Sequence, residues 1–72
     1  MSQSDVIEVL KKEKRPISAE EIIQKLDISG KRVYVLINTL LKYEEIKCIE
    51  IPRDLAMKMY NSKRRMRLYY VT

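Results

Sequence analysis

The side chains with the clearest chemical potential lie in one predicted helix, between Ser29 and Tyr43. Ammonium, amide and aliphatic groups recur there at helical spacing and so share one side of that helix: Lys31, Val35, Asn38 and Lys42. An ammonium group can neutralise a phosphate, a carboxamide can pair with adenine, and a valine can meet the methyl group of thymine. This side of the helix therefore has the chemistry to contact double-stranded DNA.

The other side of the same helix is apolar. Its residues recur at i, i+3, i+4 and i+7: Val33, Leu36, Ile37 and Leu40. Such a stripe indicates one buried face, a property that most amphipathic helices share. The alternative for Lys31 and Asn38 is therefore an ordinary solvated face. Tyr34 and Val35 argue against that alternative, because a purely solvated face more often carries Glu or Gln.

Positive charge is concentrated in the second part of the chain. The net charge is +5, with 15 basic and 10 acidic residues, and the charges up to Gly30 nearly cancel. Four basic residues cluster near the C-terminus: Lys63, Arg64, Arg65 and Arg67. Like charges placed together repel unless a polyanion neutralises them, so this cluster favours phosphate contact over pairing with Glu44, Glu45 or Glu50.

The composition argues against several other functions. A chain of 72 residues predicts a single domain, 1–72, with a small core and no room for a second, ligand-binding unit. It has no histidine, one cysteine and no glycine-rich phosphate loop, so we expect no catalysis, no metal site, no cofactor and no small-molecule ligand. Cys48 is expected to be a small, partly buried apolar residue. Without a long apolar run or a signal-peptide pattern, we expect a cytoplasmic protein that does not bind membranes.

Three helices and two strands are predicted. The helices fall at about residues 4–14, 19–26 and 30–43, and the strands at about residues 46–51 and 65–71. Ser4, Ser18 and Ser29 are the expected N-caps, with a capping box between Ser18 and Glu21. Pro16 should end the first helix, because proline disfavours helical geometry in the residue before it.

The segment between the two predicted strands fits two structures. Leu55, Met57 and Met59 alternate as in an extended strand, whereas Asp54 could cap a helical turn. We expect extended strands with a turn at 61–63, where Asn61 accepts a positive φ. In this interpretation the two methionines pack against the core, and the basic positions of the last strand face away from the helices. The alternative for Met57 and Met59 is an exposed pair that marks a dimer contact.

The order of these elements resembles the winged helix-turn-helix family of DNA-binding domains. The resemblance runs from about Asp5 to Thr72, through ISAEEIIQKLDISGKRVYVLINTLLKYEEIKCIEI and the terminal RMRLYYVT. It implies an α+β fold in which three helices precede a two- or three-stranded antiparallel β-wing. The family usually has Gly or Asn where Asp27 stands and Gly where Glu45 stands, so the third helix is expected to end differently here.

The resemblance also implies a site and a function. The third helix would enter the major groove of double-stranded DNA through Lys31, Arg32, Tyr34, Val35, Asn38, Thr39 and Lys42. The wing would hold the phosphate backbone through Arg53, Lys58, Lys63, Arg64, Arg65 and Arg67. The chain would then regulate transcription, as a monomer or a homodimer. The alternatives are a protein-interaction module of a larger assembly and a domain that binds RNA or non-B DNA.

Overall fold

The structure, a computed structural model, describes residues 3–72, so the first two residues of the predicted domain lie outside it. This part of the chain forms four α-helices and three β-strands. In chain order they are α1 (Gln3–Glu13), β1 (Ile17–Ser18), α2 (Ala19–Leu26), α3 (Gly30–Lys42), β2 (Lys47–Ile51), α4 (Arg53–Tyr60) and β3 (Met66–Tyr70). The three predicted helices match α1, α2 and α3 to within one residue at each end.

The predicted cap of α2 is confirmed, whereas that of α1 is not. Ser4, predicted as an N-cap, instead lies inside α1. At the other end of α1, Lys14 takes a left-handed φ of 57° just before Pro16. Ser18 begins α2 as predicted, and its hydroxyl accepts a hydrogen bond from the backbone N–H of Glu21 at 3.3 Å. The Glu21 carboxylate does not complete the capping box: its Oε2 accepts a hydrogen bond from Arg15 at 3.0 Å, and its Oε1 is buried with no hydrogen-bond partner among the described residues.

A tight turn joins α2 to α3. Asp27 ends α2 in the left-handed region, with φ 54°, and its N–H donates to the carbonyl of Ile23 at 2.9 Å. The Ser29 hydroxyl then caps α3 by accepting from the backbone N–H of Arg32 at 3.3 Å. Ile28 and Val33, on either side of this cap, pack in the same hydrophobic core. The three residues of the turn, Asp27, Ile28 and Ser29, are therefore of types that favour this conformation.

The strands form one antiparallel sheet in the order β1-β3-β2. Tyr69 of β3 stands opposite Ile17 of β1 and Cys48 of β2, and Leu68 stands opposite Ser18 and Ile49. Directly opposite residues share a face of the sheet. The sheet thus has a Tyr69 face and a Leu68 face, and β2 lies at its edge.

Each face of the sheet packs against different helices. The Tyr69 face joins the main core with residues of α1, α2 and α3: Val6, Leu10, Ile22, Val33, Ile37 and Leu40. The Leu68 face forms a second cluster with Ile51 and with Ala56 of α4. The prediction that the basic positions of β3 face away from the helices is therefore wrong. Arg67 alternates in phase with Tyr69, on the side of the three-helix core.

The predicted extended conformation between the strands is also wrong, because this segment forms α4. Pro52 precedes the helix with φ −68°, a backbone angle that suits a helix start. A helix places Ala56 over the second cluster and Tyr60 beside it, and Asn61 closes the end with the positive φ predicted for it, 54°. The local sequence fits either a strand or a helix, and the packing of Ala56 in the second cluster favours the helix.

Several side chains are more exposed than the sequence predicts. Met57 and Met59 were expected to pack, yet 40% and 54% of their surfaces are accessible. Cys48 is exposed as well, because it lies on the edge strand. Among the tyrosines, Tyr69 is buried, whereas Tyr43 is exposed.

Tyr60 anchors the end of α4 beside the start of α2. Burial raises the pKa of its phenol, and the nearby Glu21 carboxylate raises it further while Arg15 partly opposes this. Arg15 and Glu21 form the ion pair between the α1–β1 connection and α2. The phenol therefore stays protonated and contacts the pair that holds the first two helices together.

The left-handed residue at the end of α3 is Glu44, one residue before Glu45, where the resemblance places glycine. Its backbone N–H donates to Leu41, and that of Glu45 donates to Leu40, the two bonds of a Schellman cap. Glu44 has a φ of 58°, where glycine is the usual residue.

Replacing Glu44 by glycine should raise the free energy of unfolding by about 0.5–1 kcal/mol, because relief of left-handed strain outweighs the added entropy of the unfolded chain. Urea denaturation measures the change. Glu45→Gly is the matched control, since Glu45 has no positive φ. An equal gain from both variants would contradict the cap assignment.

Across the described residues, the structure contains no helix of the length and apolarity needed to cross a membrane.

Candidate nucleic-acid interface

The polar side of α3 lies at the surface, as the helical spacing predicts. Val33, Ile37 and Leu40 are fully buried, and this fixes the rotation of the helix. On the other side, 59% of the Val35 surface is exposed, and Lys31, Asn38 and Lys42 are exposed with it. Arg32 and Tyr34 flank this surface and are exposed too. A valine in the middle of a solvent-facing helix surface is available to a partner.

Two predicted contact residues of α3 already interact within the chain. Thr39 is half-buried, and its hydroxyl donates to the carbonyl of Val35 at 2.9 Å. The Lys42 ammonium lies 5.9 Å from the centre of the Tyr43 ring, a cation–π distance. The hydroxyl of Thr39 is therefore available to a partner as a hydrogen-bond acceptor rather than as a donor.

A groove of about 390 Å³ separates α2 and α3 from the segment that leads into β3. Tyr34 lines it from α3, and 47% of that side chain is exposed. Three predicted contact residues line the groove as well: Arg64, Arg65 and Arg67. The structure thus brings the flank of α3 and most of the C-terminal basic cluster to one concave surface.

The arginines of the groove differ in how far they are neutralised. Arg65 pairs with Glu50 at 3.4 Å, with both side chains largely exposed. Among the residues that the structure describes, none forms an ion pair with Arg64 or Arg67. On the opposite wall, Glu21 is paired with Arg15. The free positive charge of the groove therefore comes from Arg64 and Arg67, and it faces one carboxylate on the α2 wall, Glu20, that forms no ion pair among the described residues.

The turn that carries Arg64 is held by Ser62. The Ser62 hydroxyl accepts from the N–H of Arg64 at 3.3 Å and donates to its carbonyl at 3.2 Å. Together with the left-handed Asn61, these bonds set the direction of the chain between α4 and β3. Arg64 is consequently presented by an ordered turn.

Tyr69 lines the groove between Tyr34 and Arg67. Burial raises the pKa of its phenol, and the neighbouring Arg67 guanidinium opposes that rise in part. The phenol therefore carries its proton at neutral pH. Its hydroxyl can donate a hydrogen bond to an acceptor such as a phosphate oxygen.

The remaining predicted basic contacts lie elsewhere. Arg53 and Lys58 belong to α4, which packs on the Leu68 face of the sheet, opposite the face that the three-helix core covers. Lys63 lies in the turn beside Arg64 and is exposed, but it does not line the groove. Arg53 and Lys58 are therefore separated by the sheet from the surface that α3 forms.

Sequence reasoning missed the α2 wall of the groove, which includes Glu20 and Gln24. Both side chains are exposed and fall outside the apolar stripe of α2. The periodicity of α2 was sufficient to predict that Glu20 and Gln24 are exposed. The approach of residues 62–67 to α2 follows from the path of the chain through α4, so the local sequence could not predict it.

Comparison of the chain with protein-family models, with curated proteins and with solved structures gave no match in any of the three.

Proposed function

We propose that the chain is a winged helix-turn-helix protein that binds double-stranded DNA and regulates transcription. In this proposal α3 enters the major groove, and the turn and strand at residues 62–67 hold the phosphate backbone beside it. The element order supports the proposal, since a short strand, a helix, a tight turn and a second helix precede two longer antiparallel strands.

The observation that carries the proposal is the convergence of two surfaces. The polar side of α3 is exposed around Val35, and the two arginines without ion pairs lie across a groove from Tyr34, on the flank of the same helix. These parts of the sequence are some thirty residues apart, and only the fold brings them together. A neutral or basic partner would not require this positive charge beside the helix, whereas a polyanion such as DNA would.

Each group has a distinct role on DNA. The major groove is about 12 Å wide and admits an α-helix, so Asn38 can reach adenine and Val35 a thymine methyl group. Lys31 and Lys42 neutralise phosphates on the two sides of the groove. Arg64 and Arg67 hold the adjacent backbone, a contact that sets the position of the protein and carries no base information.

The wing differs from the one expected from the family. Because α4 occupies the connection between β2 and β3, Arg53 and Lys58 lie on the far face of the sheet and are not included in the proposed interface. In this proposal the contacts to the phosphate backbone of DNA come from the turn and strand at residues 62–67.

Nuclear magnetic resonance mapping tests the proposal residue by residue. Isotope-labelled protein is titrated with a mixed-sequence duplex of about 20 base pairs, roughly two helical turns. We expect backbone shifts to concentrate in 31–42 and 62–67, with little change in α1 and α4. Shifts confined to α4 would contradict the proposed interface, and absence of shifts would favour the protein-interaction alternative. Stronger shifts with single-stranded or duplex RNA would favour an RNA-binding domain.

A further inference from the structure

The solvent-facing surface of α4 lies outside the proposed DNA interface, and its apolar and charged side chains form separate rows. The helix spans eight residues, and of these only Ala56 is buried while Tyr60 is half-buried. Pro52, at its N-cap, provides no side-chain hydrogen bond. Short helices are marginal in water without tertiary support. Most of the surface of the helix is therefore left exposed by its own chain.

The side chains of α4 form four rows, each made of residues four apart, and one of them, Arg53 and Met57, lies on the other flank of the buried row. The row of Ala56 and Tyr60 faces the sheet. The next row around the helix is apolar and exposed, with 41% of Leu55 and 54% of Met59 accessible. Beyond it lies a charged row, Asp54 and Lys58, both exposed. An exposed apolar stripe thus lies between the buried side of the helix and a pair of opposite charges.

The charges of Asp54 and Lys58 are not neutralised by ion pairs within residues 3–72. Asp54 precedes Lys58 by one turn, the favourable order for an ion pair along a helix. Nevertheless, within residues 3–72 neither side chain forms an ion pair. Both charges are therefore free to meet charges on a partner.

We propose that α4 is a self-association surface, on which two copies of this chain pack their α4 helices antiparallel about a two-fold axis. Such an axis makes the contact isologous, so each helix presents the same row to its partner. Leu55 of one copy then lies against Met59 of the other. Because the direction of the partner is reversed, each Asp54 faces the Lys58 of the second copy.

The charge pattern is what selects a second copy as the occupant. In the antiparallel arrangement one acid and one base per helix give two reciprocal ion pairs, whereas a parallel arrangement would set like charges side by side. The contact lies on the sheet face opposite the three-helix core, so the exposed side of α3 stays free. This inference does not depend on DNA binding, and either proposal can fail without the other.

Sedimentation equilibrium of the whole chain tests the inference at concentrations from about 10 μM to about 1 mM, the range in which weak interfaces register. A reductant is included because Cys48 is exposed and could form disulfide-linked dimers. We expect a reversible monomer–dimer equilibrium. A monomer throughout this range would overturn the inference.

Leu55→Ser should weaken the dimer, and Met57→Ser is its matched control. Met57 lies on the opposite side of α4 with nearly the same exposure, 40%. Circular dichroism verifies that both variants fold. Equal weakening by the two substitutions would show that the contact does not use the Leu55 row.

Charge reversal tests the antiparallel pairing itself. Asp54→Lys and Lys58→Asp should each weaken self-association by about tenfold, because each replaces two attractive pairs with repulsive ones. A general effect of net charge would instead weaken the first variant and strengthen the second. Mixing the two variants should restore dimers, because every pair across the interface is then attractive. Failure of the mixture to associate more strongly than either variant alone would overturn the arrangement.

Discussion

Replacing Ile37 by alanine should lower the free energy of unfolding by about 2–5 kcal/mol, the usual cost of truncating a fully buried aliphatic side chain. Ile37 is completely inaccessible and packs in the core that joins α1, α2 and α3 to the Tyr69 face of the sheet. The truncation leaves a cavity at the centre of that core. Small domains have total stabilities of roughly 5–15 kcal/mol, so a large part of the chain's stability depends on this residue.

Val35→Ala is the control within the same helix. Val35 is two residues away, but most of its surface is exposed, so its truncation should change stability by no more than about 0.5 kcal/mol. Urea denaturation of both variants gives the comparison. Similar losses of stability from the two substitutions would contradict the rotation of α3 and with it the assignment of its outward face.

Replacing both Arg64 and Arg67 by alanine should weaken DNA binding and flatten its salt dependence. Each neutralised phosphate contributes about −0.9 to the slope of log K against log salt, so loss of both contacts should reduce the slope by about 1.8. The affinity should fall by roughly a hundredfold or more, since each arginine makes a charged hydrogen bond to phosphate worth about 1.5–3 kcal/mol. Fluorescence anisotropy with a labelled duplex measures both quantities.

The control for this variant removes the same charge from another surface. Lys11 and Lys12 are exposed in the last turn of α1, outside the groove that the arginines line. Lys11→Ala with Lys12→Ala lowers the net charge equally and should leave the slope nearly unchanged. If both double variants flattened the slope by the same amount, DNA would be responding to net charge and not to a defined arginine site.

The first half of the fold could be predicted because its signals are local. Ser18 and Ser29 cap their helices through their own side chains, and Asp27 tolerates the left-handed turn between them. Each of these effects acts within a few residues, so the sequence pattern contains the whole cause. The exposure of Val35 followed in turn from the spacing of the buried residues in α3.

The connection after β2 could not be predicted, because distant contacts decide it. Leu55, Met57 and Met59 alternate as in a strand, but the segment becomes a helix when Ala56 packs over Ile51 and Leu68. The exposure of Cys48 has a similar cause, since strand order places β2 at the edge of the sheet and local sequence does not state strand order.

The sequence predicted most of the residues of the candidate site but not how they are arranged in space. The basic cluster and the outward face of α3 are visible in the sequence, whereas their approach across a groove depends on α4 and the Ser62 turn. The same rearrangement moves Arg53 and Lys58 to the other side of the sheet. Long-range packing thus determines which of the basic residues can act together.

Anisotropy titration of the unaltered chain with a labelled mixed-sequence DNA duplex, repeated from about 50 mM to about 200 mM salt, tests the proposed function most directly. The proposal predicts saturable binding that weakens steeply with salt and exceeds binding to duplex RNA of the same sequence. Absence of binding at the lowest salt, or equal binding to both nucleic acids, would contradict the assignment of α3 as a helix that reads double-stranded DNA.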